Sequence, residues 1–431
     1  MDIQQRRAVA RDLFDAAVAA AHPAGRLAGF LPAAPAGKTL LLAAGKAAGS
    51  MIAAAEAHYL DVLGLPPARL GGLGVARTGY GCRTRVVPVI EAGHPIPDKA
   101  GLEATLKVLE IAKAAGPDDL VLALLSGGGS ANWTAPAPPL TLAEKQKITR
   151  ALLRSGATIV EINCLRKHLS RIKGGRLAAL AAPAKLVSLA ISDVPRDDPS
   201  AIASGPTVPD PTTLADALAI VAKYQIDLPA SAHALLADPA METPKPGDPV
   251  FAGSTFEIIA RPTDALAAAA ARAKAAGYEV VDLGPDVEGE AREVAQKHAA
   301  LAKEAAAAGR RAVFLSGGEL TVTIRGKGRG GPNQEYALAL AAALQGARGV
   351  TGIAGDTDGT DGGGGAATDP AGAIVDETTL SRARALKLDP AAFLAANDST
   401  GFFEKLGDLL QPGPTLTNVN DFRAVVVDPA G

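Results

Sequence analysis

The sequence predicts an α/β protein built as two domains, and three observations carry that expectation. The chain has 431 residues, more than a single hydrophobic core usually serves. Short apolar runs alternate with helical patterns along most of it. Apolar residues make up 48% of the chain and aromatics only 3%, so Leu, Val, Ile and Ala must fill the cores, which suits helices packed on sheets.

The first element is a helix. The opening residues, MDIQQRRAVARDLFDAAVAAAHP, place Leu13, Phe14, Ala17 and Val18 near one face. Charges interrupt the stretch and no apolar core region follows, so it does not read as a secretory signal. Strands are expected at 39–44, 86–90, 120–125, 186–191, 279–283, 312–315, 320–324, 349–354 and 424–427. Helices are expected at 101–115, 142–154, 262–276 and 333–343. Continuous apolar strands separated by helices imply parallel sheets covered on both faces. The run at 320–324 follows the one at 312–315 after only SGGE, so that pair is expected to be antiparallel, making the second sheet mixed. The Pro-rich, polar stretch DPAMETPKPGDPV at 238–250 reads as the inter-domain connection, giving domains 1–240 and 241–431.

Composition also excludes. Lys and Arg total 43 and Asp and Glu 45, a formal charge of −2, which argues against nucleic acid as a partner. A small anion needs only a local basic pocket. Cys82 and Cys164 are too few for a disulfide framework, and His22, His58 and His94 lack zinc-ligand spacing. No run reaches the ~20 apolar residues of a membrane span. The expectation is a cytoplasmic protein acting on small molecules without a membrane or nucleic-acid partner, as a monomer or homodimer.

Six segments can carry chemistry. At Ser126-Gly127-Gly128-Gly129-Ser130 a buried strand stops at three glycines, whose N–H groups can converge into a nest for phosphate or carboxylate. A second strand ends in the same way at Ser316-Gly317-Gly318-Glu319. Lys46, in AGKAAG at 44–49, follows the first strand and suits a phosphate oxygen. This is not a Walker A loop, because Pro32 stands where the first glycine is needed. The segment RGKGRGGPNQE at 325–335 satisfies G-x-G-x-x-G through Gly326, Gly328 and Gly331. Its three cations, Arg325, Lys327 and Arg329, suit a terminal phosphate or an acid better than a neutralised pyrophosphate. Asn333 and Glu335 follow at a helix start, where polar groups can face a ligand. In GDTDGTD at 355–361, followed by four glycines, carboxylates including Asp356 and Asp361 cluster at a strand end and suit Mg²⁺. Asp193, just past another strand, can bind Mg²⁺ or take a proton from a substrate hydroxyl. His94, in AGHPIPD, reads as a loop or core histidine.

GKAA at 45–48, EAGHPIPD at 91–98, LLSGGGSA at 124–131, SDVPRDDPSAIASGPT at 192–207, LSGGE at 315–319, GRGGPNQE at 328–335 and GDTDGTDG at 355–362 resemble the class II glycerate kinases of the MOFRL type, in matching order. The resemblance implies an N-terminal Rossmann-like parallel sheet sandwiched by helices, a smaller C-terminal α/β domain with a mixed sheet, and an active site in the cleft between them. It implies Mg²⁺-dependent transfer from ATP to the 2-hydroxyl of D-glycerate. The family's important Lys matches Lys46. Its important Arg matches Arg329, with Arg325 the nearby alternative.

On this reading Lys46 and Arg329 stabilise the transferring group. Asp193 takes the hydroxyl proton or joins Asp356 and Asp361 around Mg²⁺. The candidate nucleotide contacts are Ser126 to Ser130, Gly317, Gly318, Glu319, Asn333 and Glu335. Relatives of this family often bear the name hydroxypyruvate reductase, so NAD(P)H-dependent reduction of hydroxypyruvate is the alternative.

Overall fold

The computed structural model describes residues 1–362 and 366–429, so Gly363 to Gly365 of the glycine run lie outside the described residues. The chain forms two compact units. One comprises Arg26–Ile259, the other Met1–Gly25 with Ala260–Gly431.

The first unit is a layered α/β structure. Its sheet contains β1 (Thr39–Ala44), β2 (Leu70–Arg77), β3 (Val89–Ala92), β4 (Leu120–Leu125), β5 (Lys185–Ile191) and β6 (Ser254–Ala260), in the order β3-β2-β1-β4-β5-β6. β1 pairs in parallel with β2 and β4, β2 with β3, and β4 with β5. Every residue of β1 and β4 is buried, as continuous apolar strands demand. Leu40, Leu42 and Ala44 share one core with Ala104, Val108 and Ala112 of the helix Lys99–Lys113. The alternate residues Leu41 and Ala43 lie outside that core, and the helix Ala48–Glu56 packs on β1 and β2.

A second apolar cluster joins four helices, Leu142–Arg154, Ile159–His168, Leu214–Lys223 and Ala230–Ala237. Capping boxes start three of them, from Thr141 to Glu144, Thr158 to Glu161 and Thr213 to Asp216. In each, side chain and backbone satisfy each other's orphan donors.

The other unit holds β7 (Glu279–Asp282), β8 (Gly289–Glu290), β9 (Ala312–Ser316), β10 (Leu320–Thr321), β11 (Val350–Asp356), β12 (Gly372–Asp376), β13 (Leu409–Leu410) and β14 (Asp421–Val427). Six of these form a mixed sheet in the order β13-β12-β11-β14-β9-β7, antiparallel except for the β7–β9 pair. The helices Ala291–Ala307 and Pro332–Leu344 supply much of its core through Val294, Ala295, Tyr336, Leu338 and Leu340.

Two expectations are corrected. β10 does not pair with β9. It pairs in parallel with β8, because β14 and β7 already occupy both edges of β9, and the turn through Gly318 at φ +87° runs against the backbone of Asp286 and Val287. The stretch 238–250 does not join the two units. It folds into the first: Arg176 donates to Met241 O at 2.5 Å, His168 bonds Glu242 at 2.9 Å and Thr243 donates to Asp210 at 3.1 Å. The chain instead changes unit at 25/26 and 259/260, and the helix Ile3–Ala21 packs against the helix Pro262–Ala275.

Candidate active site

In the first unit the strand order reverses between β1 and β4. Open α/β sheets bind ligands at such a point. The residues following β1, β3, β4 and β5 are Lys46, His94, Ser126 to Ser130, and Asp193. The sheet thus brings four sequence-distant segments to one edge.

Ser126 is fully buried and fastens the two central loops. Its hydroxyl accepts from Ala47 N at 2.9 Å and donates to Ala44 O at 3.3 Å, while Lys46 N donates to Gly127 O at 2.8 Å. Gly128 adopts φ +84°, where a side chain is strained, and an added Cβ would sit 3.1 Å from the His94 ring and 3.6 Å from Lys46 Cγ. Gly129 N–H closes the turn onto Ser126 O at 3.1 Å. Gly128 and Ser130 are partly exposed, whereas Ser126, Gly127 and Gly129 are buried and hold the turn.

Beside this turn lies a cavity of ≈ 280 Å³ whose lining includes His94, Gly128, Ser130 and Asp193. Three further cations line it, Lys145, Arg166 and Lys173, together with Asn163. Each cation is held by a neutral group. Lys145 Nζ donates to Thr134 Oγ1, Arg166 Nη1 to Asn163 Oδ1 at 3.4 Å and Lys173 Nζ to Ser130 O at 2.8 Å. Ser204 links the group, bonding Ser130 Oγ at 2.6 Å and Asn163 Oδ1 at 3.3 Å. Ala203 and Ser204 both adopt left-handed backbone, at φ 50° and 62°, a strain that the surrounding structure must sustain.

The electrostatics of the cavity follow from this crowding. Burial pushes the Lys145 ammonium down to about 7, with Arg166 adding to the effect. Burial, then Lys145 and Arg166, hold the Lys173 ammonium well below the usual lysine range. Like charges kept together out of water favour an anion arriving between them.

Lys145, Asn163, Arg166 and Lys173 were missed from sequence, and His94 was read as a plain loop or core residue. A signal existed for Lys145. It shares the buried stripe of its helix with Ile148 and Leu152, where an apolar residue is expected. Asn163 and Arg166 stand three apart on the next helix and so share a face.

The remaining candidates lie in the other unit. Arg329 is exposed and ion-paired to Glu404 at 2.7 Å, which raises its pKa further. Gly317 and Gly318 direct their carbonyls to the buried guanidinium of Arg423, and Gly317 N–H is bonded to Gly284 O at 2.9 Å. Glu319 is exposed. Glu335 is buried between Arg292 at 2.6 Å and Asn397 at 3.1 Å. Asn333 donates to Asp421 at 2.6 Å and to Asp361 at 3.3 Å. Asp361 caps the helix Pro332–Leu344, accepting from Asn333 N at 3.1 Å and Gln334 N at 2.9 Å. Burial, with Asp421 adding, still pushes its carboxyl up to about 7. Asp356 ends β11 opposite Asp421 and accepts from Asp358 N at 2.9 Å. Among the described residues no three His, Cys, Asp or Glu side chains converge to cage a metal. Gly326, Gly328 and Gly331 press against Ala396, Asp398 and Asp361, so these glycines serve packing within their own unit.

Comparison with known proteins places this geometry in context. Residues 9–237 match the family described as a domain of unknown function (DUF4147), and residues 312–421 match the MOFRL family. A D-glycerate 2-kinase of Thermotoga maritima is 39% identical over 97% of this chain and 98% of its own length. An Agrobacterium vitis protein bearing a provisional hydroxypyruvate reductase name is 49% identical over 98% of this chain and 94% of its own. The crystal structure of a glycerate kinase from Thermotoga maritima matches with a TM-score of 0.86 and 37% identity, covering 98% of this chain and 100% of that one.

Proposed function

We propose that this chain, which belongs to the MOFRL family together with glycerate 2-kinases, transfers the γ-phosphoryl group of ATP to the 2-hydroxyl of D-glycerate. The observation that carries the proposal is the cation-lined cavity at the carboxyl edge of the parallel sheet, beside the turn that follows β4. Phosphoryl transfer asks a protein chiefly for positioning and charge stabilisation, and this edge offers both.

In the proposed step the hydroxyl oxygen of glycerate forms a bond to the γ-phosphorus as the bond to the ADP oxygen breaks. The hydroxyl proton passes to the Asp193 carboxylate, and ADP and 2-phosphoglycerate leave. Lys46 stabilises charge on the transferring group, and Arg329 is proposed as the second cation in that role. Gly127 and Gly128 allow an anion close approach to the backbone. Mg²⁺ bound with nucleotides characteristically takes one or two carboxylates and completes its shell with phosphate oxygens and water. A sparse donor set of that kind would fit Asp193 in its alternative role, in which it holds the metal instead of taking the proton. The metal would supply charge neutralisation at the phosphates.

The reductase name among the relatives supports a second reading, hydride transfer from NAD(P)H to hydroxypyruvate. The packing of Gly326, Gly328 and Gly331 argues against it, since a dinucleotide fingerprint needs its glycines open to a pyrophosphate. Incubation with ATP, Mg²⁺ and D-glycerate, with the product identified by ³¹P NMR, tests the proposal. A 2-phosphoglycerate resonance supports it. A 3-phosphoglycerate resonance, or NADH oxidation on adding hydroxypyruvate without any phosphorylated product, overturns it.

A further inference from the structure

We infer that the cavity is the seat of the acceptor acid, with Lys145, Arg166 and Lys173 gathered around its carboxylate and its reacting hydroxyl directed toward Gly128 and Asp193. The inference rests on the kinase reading for the identity of the acid, but on the cavity alone for its charge and size.

Size favours the smaller substrate. At ≈ 280 Å³ the cavity lies just under the ~300–1,000 Å³ of pockets that enclose drug-sized ligands. A hydroxy acid of about seven non-hydrogen atoms suits that space better than a whole nucleoside triphosphate of roughly thirty.

Charge gives the orientation. The three cations come from three segments, the helix Leu142–Arg154, the helix Ile159–His168 and the loop after it. Their fixing partners Thr134, Asn163 and the Ser130 carbonyl are neutral, so they orient the cations without neutralising them. An ammonium carries three donors and a guanidinium five, more than these contacts use. A carboxylate between them gains charge-assisted hydrogen bonds and removes the mutual repulsion. Asp193 and Gly128 share the wall of the same cavity, so an acid anchored by its carboxylate keeps its hydroxyl near the proposed proton acceptor.

The test is calorimetric titration of the full-length protein with D-glycerate, with inorganic phosphate and with a non-hydrolysable ATP analogue plus Mg²⁺. Wild type is compared with Arg166→Gln and Lys173→Met, and Arg166→Lys serves as the conservative control. D-glycerate is titrated with and without the analogue. Expected are single-site binding of D-glycerate, a loss of roughly ten- to a hundred-fold in its affinity in Arg166→Gln and Lys173→Met, and partial rescue in Arg166→Lys. The KM for glycerate rises in parallel, and analogue affinity stays within about two-fold. Variants that weaken the analogue or phosphate while sparing D-glycerate overturn the assignment in favour of the nucleotide. ADP formation with an unchanged KM for glycerate in both variants overturns the assignment and leaves the kinase reading standing. D-glycerate binding that is lost in the variants, in a wild-type protein that forms no ADP, supports the assignment and overturns the kinase reading.

Discussion

Lys173 Nζ donates to the backbone carbonyl of Ser130 at 2.8 Å, tying a cation from one segment to the turn that ends β4 in another. This contact fixes the buried Lys173 ammonium against the backbone of that turn. The same principle runs through the site, where neutral hydrogen-bond acceptors aim the cations and Asp193 is the one carboxylate among the described residues that line the cavity.

The first prediction concerns Ser126. Its hydroxyl is buried between Ala47 N and Ala44 O, so Ser126→Ala leaves a buried N–H without its partner. The expected cost is about 1–3 kcal/mol in the free energy of unfolding, measured by denaturant titration. Turnover falls as well, because the lost bond fixes the residue next to Lys46. An unchanged unfolding midpoint would show that Ser126 does not fasten these loops.

Gly128 supplies the second. Alanine there must adopt φ +84° and places its Cβ 3.1 Å from the His94 ring. Gly128→Ala is expected to cost about 1–2 kcal/mol of stability and to weaken D-glycerate binding by narrowing the cavity. Equal affinity in calorimetry, with the fold intact, would remove the turn from the binding wall.

The third is a pH dependence. The ammonium of Lys145, facing Arg166, Lys173, Asp193 and His94 across the cavity, is pushed down from 10.5 to about 7. It is charged below that value and neutral above it. Anion binding favours the charged form, so affinity falls as pH rises through about 7, and binding near pH 8 takes up protons at Lys145 and at Lys173, whose ammonium burial also holds well below the usual lysine range. Calorimetry in buffers of different ionisation enthalpy measures the uptake, and zero uptake would contradict it. The sign for stability is the reverse. Between about 7 and 10.5 the unfolded chain holds the proton that the folded chain lacks, so this group makes the free protein more stable as pH rises through that window.

Arg329 gives the fourth. Its guanidinium is exposed and its partner Glu404 is exposed too, so Arg329→Ala should leave the melting temperature almost unchanged. The proposed role in charge stabilisation predicts a loss of roughly 10³-fold or more in kcat. A variant keeping half its turnover excludes that role.

The sequence disclosed the elements whose local signal agrees with their final environment. β1 and β4 are unbroken apolar runs buried on both faces, and their bounds coincide with the expectation. β2 was hidden because LGGLGVAR carries three glycines. Gly72 is needed there for φ +133° and a close approach to Leu41 of β1, a tertiary demand with no local signature. β12, GAIVD, is too short and glycine-led to stand out. The helix Ile3–Ala21 was readable as a helix, but its pairing with a helix more than two hundred residues away was not. The placement of Lys46, the glycine turn and Asp193 at strand ends was legible, because a strand end is recoverable from pattern alone. Arg166 and Lys173 were not. They face the cavity only because separate segments converge there, and in sequence they resemble ordinary surface charges.

The most direct measurement counts ADP released and glycerate consumed by the purified protein supplied with ATP, Mg²⁺ and D-glycerate. The account predicts one ADP for each glycerate phosphorylated, at a rate that Lys46→Ala lowers by orders of magnitude. ADP release no greater than in an acceptor-free control would contradict it.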